Sequence, residues 1–371
     1  MLSNELLRTS LIFLIASCGV AFLWAPILTK ILYKYNITRR NEFDFTLKGD
    51  KQNKVGTPIM GGLLVIITVM VITMLFNWSR KYTYVPIGVM TIAALLGAVD
   101  DLLNIFGNKR RLRTLHQTLT LIKVHKLWYV RLWYIITLPW AFFKRLTSMF
   151  GSAPGRGIQV HEKLIFQFLA GAVAAWWVYT KLGDTWHSLW VPFYGQIAVG
   201  WWIIPIIIFF VMFTANAVNF ADGLDGLAGG SLIITFSALT LISWLDGRVA
   251  FTPLNATIVG ALLAYTYFNI KPARFQMGDV GSLGLGALLA INAISINRTI
   301  LIPFFGFIFY LEIFSVIAQV LFRRLLGRRL FKMAPLHHHY EFKGWSEEKI
   351  VMRFWIMHAV VAIIGVWLAL Y

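Results

Sequence analysis

One cysteine, Cys18, is all that 371 residues contain, and it sits inside the first apolar run. A disulfide framework is excluded, and a cysteine-based metal site lacks ligands. Charge is also scarce. Only 13% of residues are Asp, Glu, Lys or Arg, too few to cover a soluble domain of this size, and no polar linker divides the chain. No cleavable leader is visible, and the first apolar run, which carries Pro26 and continues to about Tyr33, is too long for a signal segment and is expected to be a span. What is abundant is hydrophobic sequence, at 58%. The class is therefore a polytopic membrane protein, read as a single integral unit over 1–371. Acidic residues number 16 against 34 Lys and Arg, giving a net charge of +18. That excess suits cytoplasmic loops, anionic head groups and an anionic substrate. The basic residues are scattered among apolar runs, which argues against nucleic acid as a partner.

Ten runs of membrane length follow, at about 10–33, 58–77, 84–100, 164–180, 197–218, 229–245, 254–269, 280–297, 300–322 and 350–371. The odd-numbered loops between them, with Arg353 at the start of the last run, hold 27 Lys or Arg and the even-numbered loops 5. The positive-inside rule then places the odd loops in the cytoplasm and both termini on the periplasmic side. The fold expected is all-α, with about ten transmembrane helices. This topology gathers the scattered polar motifs on the cytoplasmic face, where a cleft is expected.

The first motif is "VDDLLN", with Asp100 and Asp101 at the end of the third run. They either mark where the span leaves lipid, or hold a cation while one acts as a base. In "AVNFADGLDGLAGG", Asn219, Asp222 and Asp225 recur every third residue and would share a face if the turn stays helical. Ordinary turn chemistry is the alternative. "FQMGDVGSLG" sets Asp279 between Gly278 and Gly281 at an expected helix start. There it either caps the helix or donates oxygen to a hard cation such as Mg²⁺. "APLHHHYE" carries His337, His338 and His339. Adjacent helical residues diverge by about 100°, so a loop of imidazoles donating to phosphate or sugar oxygens is favoured over zinc. Lys54, in "KVGTPIMGG", reads alone as no more than a positive-inside anchor.

The stretch 110–155 differs in kind, mixing Lys, Arg, Trp and Leu, with Arg131 and Pro139 interrupting its apolar part. It reads as an amphipathic interfacial insertion in the cytoplasmic 3–4 loop. A re-entrant hairpin is the alternative, and an eleventh span would reverse the charge pattern downstream.

In order and spacing these motifs resemble the polyprenyl-phosphate N-acetylhexosamine-1-phosphate transferases over nearly the whole chain except about 110–155. "GTPxMGG" and "APxHHHxE" are similar to the branch that handles phospho-N-acetylmuramoyl-pentapeptide. The resemblance implies transfer of that group from its UDP-linked form to undecaprenyl phosphate, giving lipid I and UMP, in a bacterial inner membrane with Mg²⁺ as cofactor. It implies catalytic roles for Asp100, Asp101, Asp279 and Lys163, with Asp279 as metal ligand. It implies substrate contacts for Lys54, Asn219, Asp222, Asp225, Asn269, Gly278, His337, His338 and His339, and it suggests a homodimer. Three positions depart from the family pattern: Ile59 where Thr is usual, Asn104 where Lys often follows the acidic pair, and Gln276 where Phe can pack on uracil. The insertion is expected to bind the membrane surface near the entrance for the lipid substrate.

Mechanistically, Asp100 is expected to deprotonate or orient the lipid phosphate, with Asp101 supporting metal or phosphate placement and Lys163 and the His run stabilising charge. A covalent aspartyl route is the alternative. Two rival functions stand beside this one. One is a sister enzyme using UDP-N-acetylglucosamine. The other is a cation-coupled transporter, which would place its carboxylates near mid-bilayer.

Overall fold

The computed structural model describes residues 2–39, 54–108, 113–147 and 157–371. The described residues form fifteen α-helices. The first three are α1 (Leu2–Lys34), α2 (Leu63–Phe76) and α3 (Tyr84–Phe106). Three short helices follow: α4 (Leu115–Val124), α5 (Trp128–Ile136) and α6 (Leu138–Thr147). Then come α7 (Val160–Trp177), α8 (Ile203–Ala221), α9 (Leu227–Leu245), α10 (Phe251–Asn269) and α11 (Gly278–Ser295). The chain ends with α12 (Ile302–Phe305), α13 (Phe307–Leu325), α14 (Leu336–Phe342) and α15 (Glu347–Ala369).

Seven of these, α1, α3, α7, α8, α9, α11 and α15, are long and apolar enough to cross a membrane. The pair α12–α13, bent by 87°, brings the number to eight. Two of the ten expected runs fall outside that criterion for physical reasons. Fourteen-residue α2 is ~21 Å long at ~1.5 Å per residue, short of a ~30 Å core. Its expected first residues, 58–62, are instead non-helical and pair with 276–277: Gln276 N–H donates to Pro58 O at 2.8 Å and Gly61 N–H to Gln276 O at 2.7 Å. Helix α10 is covered by protein on nearly every side, so it can carry polar groups that lipid would not accept. Asn255 joins its two neighbours, donating to Ser243 Oγ on α9 at 3.2 Å and accepting from Asn292 on α11 at 2.8 Å.

Helix α11 is the centre of the molecule. Every residue from Val280 to Ser295 is buried, and it packs on α3, α8 and α2. The approach to α3 is close because Gly97 has no Cβ; one there would lie 2.1 Å from Asp279 O. The α12–α13 bend at Gly306 frees backbone groups, and His358 of α15 is buried beside it. Ile308 N–H donates to His358 Nδ1 at 3.2 Å, which makes Nδ1 the bare nitrogen. Nε2–H then faces Ser231 O at 3.1 Å and Thr235 Oγ1 at 3.0 Å. Thr235 in turn donates to Phe305 O at 2.6 Å.

One element was not expected. Between α7 and α8, β1 (Ser188–Val191) and β2 (Gly195–Ala198) form an antiparallel hairpin with Ser188 opposite Ala198. Trp190 N–H donates to Asn297 Oδ1 just beyond α11, and Phe193 lies 5.2 Å from the Tyr371 ring. The hairpin therefore sits at the end of the bundle away from Asp279, which opens α11.

Candidate active site

Residues 219–226, where α8 ends and α9 begins, reach into four polar groups at the other end of the bundle. Helix α8 stops at Ala221, so the expected single polar stripe does not form. Asn219, Asp222 and Asp225 diverge instead to separate partners.

The first group is built around Lys163, in the first turn of α7. That helix opens with a capping box of Gln159 and Glu162. Lys163 Nζ is paired with Asp279 Oδ2 at 2.7 Å and with Asp100 Oδ2. Asp100 Oδ1 accepts the Ile158 N–H at 2.5 Å, and Asp279 Oδ1 accepts from Asn219 Nδ2 at 2.7 Å. Asn219 also donates to Ser282 Oγ at 2.9 Å. Two carboxylates 179 positions apart in sequence thus meet at one ammonium. The acidic pair does not end its helix, since α3 runs on to Phe106.

The second group is the start of α11. Its first N–H groups have no partners within the helix. Gly278 N–H donates to Asp222 Oδ2 at 3.1 Å, Asp279 N–H to Asp101 Oδ1 at 3.2 Å and Val280 N–H to Asp101 Oδ2 at 3.1 Å. Asp101 is therefore the cap, and Asp279, the residue whose capping the sequence left open, is free to face Lys163. Gly278 has φ +73°, and a Cβ there would press on Asp101 Oδ2 at 2.7 Å. Burial pushes the Asp222 carboxyl well above the usual carboxylate range. The Asp279 and Asp225 charges push the same way, and the Gly278 N–H and Lys54 pull back.

The third group surrounds Lys54, whose Nζ lies 2.8 Å from Asp225 Oδ1 and 2.6 Å from Glu347 Oε1. Glu347 Oε1 also accepts the Asp225 N–H at 2.6 Å, and Lys271 is 3.0 Å from Glu348. Asn269 holds backbone on both sides, accepting from Gly226 N–H at 2.9 Å and donating to Phe275 O at 2.8 Å. Its amide supports the turn.

The fourth group is the His run, which forms the short helix α14 where a loop was expected. Its three rings part company accordingly. His337 is buried on Gly223, with its Nδ1 and N–H each 3.2 Å from Glu312 Oε1. His338 Nδ1 is 2.5 Å from Glu341 Oε2, and His339 Nδ1 accepts from Lys332 N–H at 3.2 Å. Partial burial and the Lys343 and Lys332 charges lower the His339 imidazole below its ordinary value. Of the three departures from the family pattern, Gln276 accepts from Arg39 at 3.4 Å, and Asn104 lies against Gly157 beside Asp100.

Residues 155–297 match the family model described as glycosyl transferase family 4. That span contains Lys163, the 219–226 turn and Asp279. Among curated relatives, the phospho-N-acetylmuramoyl-pentapeptide-transferase of Chloroflexus aurantiacus is 36% identical over 327 residues, covering 85% of this chain and 78% of its own length. That of Levilactobacillus brevis is 33% identical over 86% of each chain. That of a Geobacillus species is 31% identical over 94% of this chain and 95% of its own. The chain belongs to the phospho-N-acetylmuramoyl-pentapeptide-transferase family. Two acids of this transferase escaped the sequence reading. Glu347 lies in the first turn of α15, in "WSEEK", where nothing in the local sequence sets it apart from Glu348. Glu312 did carry a signal, since a lone carboxylate in an apolar run needs a buried partner, and His337 is that partner.

Proposed function

We propose that this transferase moves phospho-N-acetylmuramoyl-pentapeptide from its UDP-linked form to undecaprenyl phosphate, forming lipid I and releasing UMP. The observation that carries the reading is the meeting of Asp100 and Asp279 at Lys163. The reading includes a bacterial inner membrane, ten spans with α2 and α10 as the remaining two, both termini periplasmic, the site on the cytoplasmic side, and a homodimer.

The donor chemistry suits Mg²⁺, which takes oxygen ligands, usually one or two carboxylates plus substrate phosphates. Asp279 would hold it, with Asp100 adjacent. Among the described residues no three His, Cys, Asp or Glu group as a metal site, so Asp279 would hold the ion together with substrate phosphate oxygens. When bound, the ion neutralises charge on the diphosphate.

The chain's own residues do the rest. Asp100, fixed by the Ile158 N–H, orients the lipid phosphate and takes a proton it carries. That phosphate oxygen bonds to the β-phosphorus of the UDP-sugar. The bond from the β-phosphorus to the bridging oxygen breaks, and UMP leaves with the electron pair. Lys163 stabilises the phosphate charge, and Asn219 orients Asp279. Asp101 and Asp222 are positioning residues acting through the start of α11. Lys54, held between Asp225 and Glu347, contributes a cation to the nucleotide end.

The test is UMP release by the purified full chain. Mg²⁺-dependent release is expected from UDP-N-acetylmuramoyl-pentapeptide with undecaprenyl phosphate, and none from UDP-N-acetylglucosamine. Release from the second donor alone overturns the substrate assignment, and Mg²⁺-independent release overturns the metal assignment.

A further inference from the structure

From Leu102 to His161 the sequence holds ten Lys or Arg and no Asp or Glu. The described part of this stretch is α4, α5 and α6, and they form a knit unit. Thr114 and Gln117 make a capping box that starts α4. Arg131 of α5 reaches back past its end, Nε donating to His125 O at 2.5 Å, and Arg113 lies 4.8 Å from the Tyr134 ring. These contacts do not bury the unit. No residue of α5 is buried, and Trp128 is 74% exposed, Trp133 62% and Ile136 62%.

Nine residues make α5 about 14 Å long, too short to cross a bilayer. Apolar surface left in water costs about 25 cal/mol per Å². Trp and Tyr beside Lys and Arg are the mixture that settles at the head-group boundary. The unit hangs between α3 and α7, two membrane-long helices, so it is tethered to the bilayer at both ends. It also returns to the site: Trp140 of α6 meets His161 edge-on at 5.2 Å, two residues before Lys163.

We propose that α4–α6 dock as a unit on the membrane surface, with the aromatic and aliphatic side chains of α5 at the acyl boundary and Lys123, Lys126 and their cationic neighbours on anionic phospholipid head groups. Charge selects this occupant over a second copy of the chain. A twofold contact would set an all-cationic stretch against itself, whereas each cation near an anionic leaflet is attracted. The inference does not depend on the reaction proposed above.

The test uses the full chain with Cys18→Ser and Trp133→Cys, carrying a nitroxide at position 133, in nanodiscs of phosphatidylcholine with or without phosphatidylglycerol. Power saturation reads access to oxygen, which concentrates in lipid, and to a water-soluble nickel chelate. With anionic lipid the label should favour oxygen. Lys123→Gln and Lys126→Gln should each lower the docked-to-undocked ratio about fivefold at low salt, and high salt should do the same to the parent. Three outcomes overturn the proposal: a label equally open to nickel in both lipids, a label shielded from both reagents as in a protein contact, or a lipid-buried label indifferent to charge and composition. UMP release from the same discs reports that the labelled protein is intact, so loss of docking and loss of the proposed reaction are read separately.

Discussion

Lys163 holds its ammonium between Asp100 and Asp279, and each acid is fixed by one further donor, Ile158 N–H or Asn219. Removing one acid should therefore disturb charge more than shape. Asp279→Ala is expected to reduce UMP release at least a thousandfold while the purified protein keeps its melting temperature within a few degrees. A variant with normal Mg²⁺-dependent turnover refutes the metal assignment. Glu347 acts through Lys54. Glu347→Gln removes one of that ammonium's two carboxylate partners among the described residues, so KM for the UDP-substrate should rise about tenfold with kcat nearly unchanged. A fall confined to kcat would contradict the nucleotide-end assignment of Lys54. At this scale the sequence was generous with identities and poor with partners. The motifs named Asp100, Asp101 and Asp279, but which of them caps a helix and which faces Lys163 depends on contacts 178 residues apart. Asn269 shows the same limit. The family resemblance implied a substrate contact for it, and its hydrogen bonds to Gly226 N–H and Phe275 O could not be read from the sequence.

Helices α3 and α11 meet where a glycine lets backbone approach backbone. Gly97→Ala sets a methyl group 2.1 Å from Asp279 O, which α11 cannot yield without losing its place on Asp101. The expected outcome is a loss of about 1–3 kcal/mol in stability, typical of overpacking, together with a fall in kcat, read by thermal melting and UMP release. At the α12–α13 bend the expectation is reversed. His358→Ala strips Ile308 N–H of its acceptor in a buried place, about 1–3 kcal/mol, and should lower the melting temperature more than it lowers kcat. Equal loss of both would tie the bend to the site. The long helices were legible from apolar runs, whereas the short α14 was expected as a loop. The bend, the short non-helical entry to α2 and the β1–β2 hairpin were not legible: the His358 side chain meets the first, backbone pairing with 276–277 decides the second, and the third is a short local pairing that no apolar run reports.

Charge asymmetry between loops is a property of the whole chain, and it gives the firmest large-scale expectation. With Cys18 replaced, a cysteine at position 371 should react with a membrane-impermeant maleimide in intact spheroplasts, and one at position 332 only after lysis. Labelling in the opposite order would reverse the assigned sides. Span number was less legible than span type, since α2 is short and α10 is covered by its neighbours. Helix α2 falls short by length and not by apolarity, whereas α10 carries buried polar side chains that lower its hydropathy.

The cap that Asp101 places on α11 has a further consequence, in time rather than in space. Asp101 is made 178 residues before the N–H group that its Oδ1 accepts. During synthesis α3 must wait in the bilayer with two acids whose partners do not yet exist. Asp100 is answered once Ile158 and Lys163 have been made, but a chain cut short before Gly278 leaves Asp101 without its donors, so an unfinished product differs from a finished one by one unanswered carboxylate inside an apolar helix.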